Sequence, residues 1–383
     1  MTTRVAIARP VLDWAVTRSG RDVDDLTKKF PKWHDWTDSE HGPTPAQLEQ
    51  FAKYTGIPFG YLLLRKPPEL GLPIADFREG HTGGWDEPST ALLAVLHQSI
   101  RRQDWYRAYA EENGLPALEI VGSADDKPIS TVADDMRDRL KFQVDARTGS
   151  WGEIRKHLLR AFEALGGLTV AASMVGNNTH RPLDADEFRG FSLVDPLAPL
   201  VFVNAAQTLN GQIFTLAHEY AHVWRGTSGI SAEDVRRQPS TSVEQWCNAV
   251  ASEFLVPERD LRSRYGGVAA LPLDRRLDRL AGVYKCGTLV VLQAIHRADL
   301  AQFRDFDAIY DAEAARLATL AEGRKPSGGD HYRNQPYRVG DRLSKALIGE
   351  AVEGRTTLAE AMRLMSMKSL SNFDEYARQL GVA

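Results

Sequence analysis

LAHEYAHVW, Leu216 to Trp224, is the stretch on which the reading of this chain turns. It has the form His-Glu-x-x-His. At about 100° per residue, His218 and His222 leave one face of a helix about one turn apart, so two imidazoles can reach a single metal ion. Glu219 is displaced around the same face. A carboxylate there is poorly placed to be a third ligand from the same turn, but it can touch a metal-bound water and accept its proton. This is the metallopeptidase geometry. The flanking residues Phe214, Leu216, Ala217, Ala221, Val223 and Trp224 are apolar, so the two histidines sit on a mostly buried helix and need partners.

Working outward, the 383 residues are too many for one ordinary core and imply two or three domains. Hydrophobic residues make up 43% and charged residues 26%, which is the composition of a globular protein and excludes wholesale disorder. A net charge of −4 gives no global basic field for nucleic acid or anionic lipid. Cys247 and Cys286 make no disulfide framework, and no apolar run has the length of a signal or membrane segment. The expected location is the cytoplasm, with no membrane partner.

Residues 9–64 read as a set of short helices. Pro10 opens the first, with Leu12, Ala15 and Val16 on one face and Ser19-Gly20 closing it. RDVDDLTKKF follows, then PKWHDWTDSEHG, then TPAQLEQFAKYTG with Thr44 as its cap. The order of these segments resembles the helix-turn-helix domain of the Xre and phage-repressor type. Too few residues separate Phe30 from Trp36 for a full recognition helix, however, and basic and acidic residues nearly balance. DNA contact is therefore not favoured over packing or gripping a protein partner. KPPELGLPIADFREGHTGG reads as an extended connector. Helices are expected from about Leu92 to Tyr109, Thr131 to Lys141 and Trp151 to Leu165; Trp105, Tyr106 and Tyr109 read as core.

The texture then changes. GLTVAAS, FRGFSLVD and PLVFVNA are short β-branched or aromatic runs between turn residues and predict strands leading into the metal helix. An edge strand of such a sheet can hold an extended peptide by backbone hydrogen bonds. RGTSGISAEDVRRQPSTS reads as a polar loop, and VEQWCNAVASEFLVP as a helix stopped by Pro257.

A catalytic zinc usually has three protein ligands and one open position. The candidates for the third are Glu233 and Asp234 in the loop and Glu244 and Glu253 on the following helix. Glu244 and Glu253 lie on opposite borders of the apolar face, and periodicity does not choose between them. Cys247, on that face, reads as a buried, inert thiol rather than a ligand or redox sensor. His180 reads as a solvated loop histidine rather than an oxyanion-stabilising group.

FTLAHEYAHVW, followed by E-x-x-C-N-x-x-A-x-x-F-L-V-P, resembles the ImmA/IrrE metallopeptidase family. Asp76-Phe77-Arg78, the repressor-like start and the C-terminal GGDHYRNQ…LIGEAVEGRTTLAEAMRLM resemble long members of it. The resemblance implies that His218, His222 and Glu244 hold Zn2+, that Glu219 is the general base, and that Asn248 orients a ligand or backbone from behind. It also implies a substrate that is a particular protein, often a transcriptional repressor.

The chain beyond Glu258 reads as helical. LDRLAGVYKCGTLVVLQAIHRA gives two helices around a glycine turn, RKPSGGDHYRNQPYR a polar linker, and the tail from Val339 two or three small helices. The expected fold is α+β, mainly helical, with a small sheet packed beside a zincin-type helix. The expected domains are a helix-turn-helix unit at 1–70, a connector and helical region at 71–150, the metallopeptidase domain at 151–320 and a C-terminal helical region at 321–383. Two functions compete. One is a zinc endopeptidase that cuts a regulatory protein. The other is an antitoxin-like or transcription-controlling binding protein with a structural or vestigial metal site, supported by the helical modules beyond catalytic need and opposed by the intact Glu219.

Overall fold

The computed structural model describes residues 4–19, 22–38, 40–68, 71–76, 88–231, 241–322 and 338–382. Glu233, Asp234, Phe77, Arg78, Gly20 and nearly all of the 324–338 linker, singled out above, lie outside the described residues. The chain is α+β and mainly helical, with one four-stranded sheet. It divides into two compact units, Met1–Pro73 with Gly84–Leu96, and Ile74–Gly83 with His97–Ala383.

The first unit begins with α1 (Arg9–Arg18), α2 (Val23–Lys29) and α3 (Pro45–Thr55). Asp22 caps α2, and Thr44 and Gln47 close a reciprocal capping box on α3. Among the described residues between α2 and α3, the only helical ones are the short 3-10 turn Trp33–Asp35, because Pro31 and the few residues after it leave no room for more. Phe30 anchors the core edge-on to Trp36 and Phe51, at ring distances of 5.8 and 5.4 Å.

The second unit takes in α4 (Thr90–Glu112) from His97 on, then α5 (Ile129–Arg139), α6 (Trp151–Ala164), β1 (Leu168–Ala172), β2 (Gly190–Leu193), β3 (Leu200–Asn204), α7 (Leu209–Arg225) and β4 (Gly229–Ser231). After these come α8 (Ser242–Leu255), α9 (Glu258–Tyr265), α10 (Leu273–Tyr284), α11 (Thr288–Arg297), α12 (Phe306–Glu322), α13 (Asp341–Val352), α14 (Leu358–Leu364) and α15 (Leu370–Leu380). The sheet order is β1-β3-β2-β4, with β1 and β3 parallel and the other pairs antiparallel. The three expected strands form. The loop expected after α7 instead contains β4, a strand only three residues long in a Gly-Ile-Ser run too short to show alternation.

Helix α7 is buried continuously from Gln212 to Trp224, which is why its sequence is apolar around the histidines. Trp224 Nε1 donates to Asp135 on α5 at 2.7 Å, and the Tyr220 hydroxyl donates to the Leu158 carbonyl on α6 at 3.0 Å. Gly226, at φ 79°, ends α7 in a left-handed turn that sends the chain directly into β4. Helix α8 packs on α7. Its C-terminal carbonyls are taken by two buried guanidinium groups: Arg137 donates to Glu253 and Phe254, and Arg147 to Phe254 and Leu255. The region before residue 151 thus holds α8 in place.

Candidate active site

Each chemical group of the site sits where local sequence fixes it. Thr208 caps α7, so the helix is in register when it reaches His218 and His222 four residues apart. Thr241 caps α8 by accepting from the Glu244 amide, which puts Glu244 in the first helical turn, where the helix dipole favours a carboxylate. Packing α8 on α7 then brings the three together.

Glu244 Oε2 lies 3.0 Å from His218 Nε2, and Glu244 Oε1 lies 2.9 Å from His222 Nε2. The two Nε2 atoms are 3.1 Å apart. Ligands about 2.0 Å from one tetrahedral ion stand about 3.3 Å from each other, so these separations are close to the edges of a metal's coordination shell. The donor set also fits a metal chemically. His218 Nδ1 is 2.8 Å from Asn248 Oδ1, so a proton on Nδ1 donated to that oxygen leaves the Nε2 lone pair facing the cluster. His218, His222 and Glu244, all buried, are a group fit to hold a metal ion.

Electrostatics follow from this packing. Burial alone would push the Glu244 carboxyl up, but the charge of His218 and the hydrogen bonds to both histidines outweigh it and hold the group at about 2. Burial pushes His222 below the ordinary histidine range, against the pull of Glu244. Glu219 is fully buried, and burial pushes it up to about 8, with Glu244 acting in the same direction and His218 opposing. Neither Glu219 oxygen is in hydrogen-bonding geometry with any described group. The hydroxyls of Ser231 and Ser192 nearby favour the charged form only as the smallest influences.

The other singled-out residues fall in distinct places. Glu253 accepts from the Glu258 amide at the far end of α8, nine residues or about 13 Å from Glu244. Cys247 is fully buried in the core beside Val250 and Ala251. His180 is exposed, its backbone bonded to Asn178.

Sequence reasoning missed the sheet's share of the site. Gly190 opens β2 against α7: a Cβ there would meet Thr215 at 2.6 Å, the Phe202 carbonyl at 2.9 Å and Glu219 Oε1 at 2.9 Å. A glycine inside a strand pattern is the signal that could have shown this close approach. Ser231 on β4 brings its Oγ to 3.1 Å from His218 Nε2. A narrow cleft with room for about one water molecule is lined by Glu219, His218, Ser231 and Asn248, with Arg189, Phe214 and Thr215 completing its wall.

A helix carrying His-Glu-x-x-His beside a small sheet, with a carboxylate from the next helix, defines a metallopeptidase-type site. Residues 170–295 match the family of the IrrE N-terminal-like domain, Peptidase_M78, and the match takes in most of β1, the other three strands, α7 and α8. Residues 339–379 match a domain of unknown function, DUF8813, which covers α13, α14 and nearly all of α15. No curated protein and no solved structure matches the chain. Among the described residues, no helix is long and apolar enough to cross a membrane.

Proposed function

We propose that this chain is a zinc-dependent endopeptidase that cuts a specific regulatory protein, such as a transcriptional repressor. The observation that carries the reading is the buried Glu219 carboxylate, which stands beside the His218, His222 and Glu244 cluster and faces a water-sized cleft. A purely structural metal site has no use for such a base.

His218, His222 and Glu244 would hold the ion, and Asn248 would fix the His218 ring. Zinc, when bound, supplies Lewis acidity that makes water easier to deprotonate and polarises the scissile carbonyl. Glu219 takes one proton from the attacking water as its oxygen bonds to the carbonyl carbon. When the C–N bond breaks, the carboxyl returns that proton to the leaving amine. Burial makes the Glu219 carboxylate a stronger base toward the water, and the carboxyl so formed holds the proton until the amine leaves and takes it. The cleft's narrowness supports a restrained enzyme, and the outer edge of β4 is partly taken by the chain itself: the Ile230 amide donates to the Ala75 carbonyl at 3.1 Å, with Asp76 bridging Ile230 in parallel.

The test is capture of proteins bound in cells to the Glu219→Gln variant, followed by incubation of the captured protein with wild type. Site-specific cleavage by wild type alone supports the reading. Equal biological effect from wild type and Glu219→Gln would transfer the function to binding.

A further inference from the structure

We propose that the Ser231 hydroxyl holds the attacking water together with Glu219, and that Ser192 positions the Glu219 carboxylate from behind. This rests on the hydrolytic reading above and assigns two of the chain's own residues to it.

Strand register carries the first step. Gly190 pairs with Ser231, and Ser192 pairs with Gly229. Residues 190 and 192 share one face of β2, and a residue opposite 190 on β4 shares it too. That face is the one turned to α7, because a Cβ on Gly190 would stand 2.9 Å from Glu219 Oε1. Two serine hydroxyls on adjacent strands therefore face the same carboxylate.

Polar satisfaction carries the second. Both Glu219 oxygens and the Ser192 hydroxyl are buried without a hydrogen-bond partner among the described residues. Ser192 lies near enough to bear on Glu219 itself, whereas the Glu219 carboxylate also faces a cleft that admits a water, which points to something that binds there. Ser231 and Glu219 line the water-sized cleft, and Ser192, fully buried, does not. Ser231 Oγ also reaches His218 Nε2, the atom that faces Glu244 and His222, so it stands at the open side of the ligand cluster.

The roles divide accordingly. A water in the cleft donates one hydrogen to Glu219, the one transferred in the reaction, and the other to Ser231 Oγ. Ser231 keeps its own proton throughout and fixes the direction of attack. Ser192 reaches the carboxylate from the side away from the cleft and holds the acceptor oxygen toward the water.

The experiment uses the full chain with zinc, and with cobalt(II) in its place, on the best-cleaved peptide of a mixed-sequence fluorogenic library. Ser231→Ala is expected to lower kcat roughly a hundredfold with KM within about twofold, the pattern of a misplaced reacting group. It should keep full metal content and alter the cobalt absorption spectrum; Ser231→Thr, which restores the hydroxyl, should regain most of the rate. Ser192→Ala should lower kcat while leaving KM and the cobalt spectrum unchanged. Wild-type kcat with an unchanged spectrum in Ser231→Ala overturns the proposal, as does loss of metal, which would make Ser231 a support for the ligands. Wild-type kcat in Ser192→Ala overturns the role of Ser192. If Glu219→Gln cleaves as fast as wild type, the hydrolytic reading falls; in that case, or where the restrained wild type cleaves no library peptide, the cobalt spectrum alone decides whether Ser231 stands at the open side of the ligand cluster.

Discussion

His218 Nδ1 and Asn248 Oδ1 stand 2.8 Å apart, each on its own helix, and this contact decides which nitrogen of His218 can serve the cluster. An oxygen acceptor stabilises the tautomer protonated at Nδ1 and leaves Nε2 as a lone pair. Asn248→Ala is expected to weaken metal binding by about 10- to 100-fold, and Asn248→Asp to preserve it. Competition against a chromophoric chelator measures both. Equal affinity in Asn248→Ala would reduce the contact to packing.

The three proposed ligands make a sharper expectation. His218→Ala and Glu244→Ala should each lose the roughly one zinc per chain expected of wild type, while Glu253→Ala keeps it. Metal analysis of the purified variants checks this, and zinc loss in Glu253→Ala with retention in Glu244→Ala would reverse the assignment.

These variants also show what the sequence could and could not say. His218, Glu219 and His222 are legible because a helical period alone places them, and the apolar residues around them show that the helix is buried. Glu244 and Glu253 are nine residues apart, about 180° around the helix, so each borders the apolar face and the choice depends on which border meets α7. That is set from outside, by Thr241 at one end of α8 and by Arg137 and Arg147 at the other. Ser231 and Gly190 were hidden for a different reason. Their part in the site exists only once β4 pairs with β2, and a strand of three residues carries no periodicity. The same holds for Ala75, whose carbonyl meets Ile230 across more than 150 residues of chain.

A prediction away from the site concerns Glu163 at the end of α6. Its carboxylate accepts from Thr169 Oγ1 at 2.7 Å and from the Asp341 amide at 3.2 Å. The approach of α13 depends on Gly340, at φ 74°, where a Cβ would run into Glu163 Oε1 and the Thr169 carbonyl. Burial, with Asp341 adding to it, pushes Glu163 up to about 7 from the ordinary 4.5. An acid whose folded pKa is raised keeps its proton in the native state after the unfolded chain has lost it. Its contribution to stability is therefore fully present below about pH 4.5 and is lost as pH rises to about 7, a change of about 3 kcal/mol. The stability of Glu163→Gln relative to wild type should rise by that amount across this window and then level off. Urea unfolding of both proteins at matched pH values measures the difference, and a constant difference would mean that Glu163 titrates normally.

The last prediction concerns restraint. An unrestrained endopeptidase would damage its own host. Here the water-sized cleft and the Ile230 amide already bonded to Ala75 leave little of the β4 edge for a substrate strand. Casein should be cut slowly or not at all by the wild type, and the cognate protein at one or two bonds, with Glu219→Gln abolishing cleavage while leaving binding intact. Replacing Ile74–Asp76 by Gly-Ser-Gly should keep metal content and speed casein cleavage, because a flexible, unpaired segment competes less well for the edge. Amide hydrogen exchange at Ile230 provides a readout that needs no activity, and it should quicken in the same variant. Rapid digestion of casein by the wild type, or slow exchange at Ile230 after the replacement, would show that Ala75 does not hold the edge against substrate.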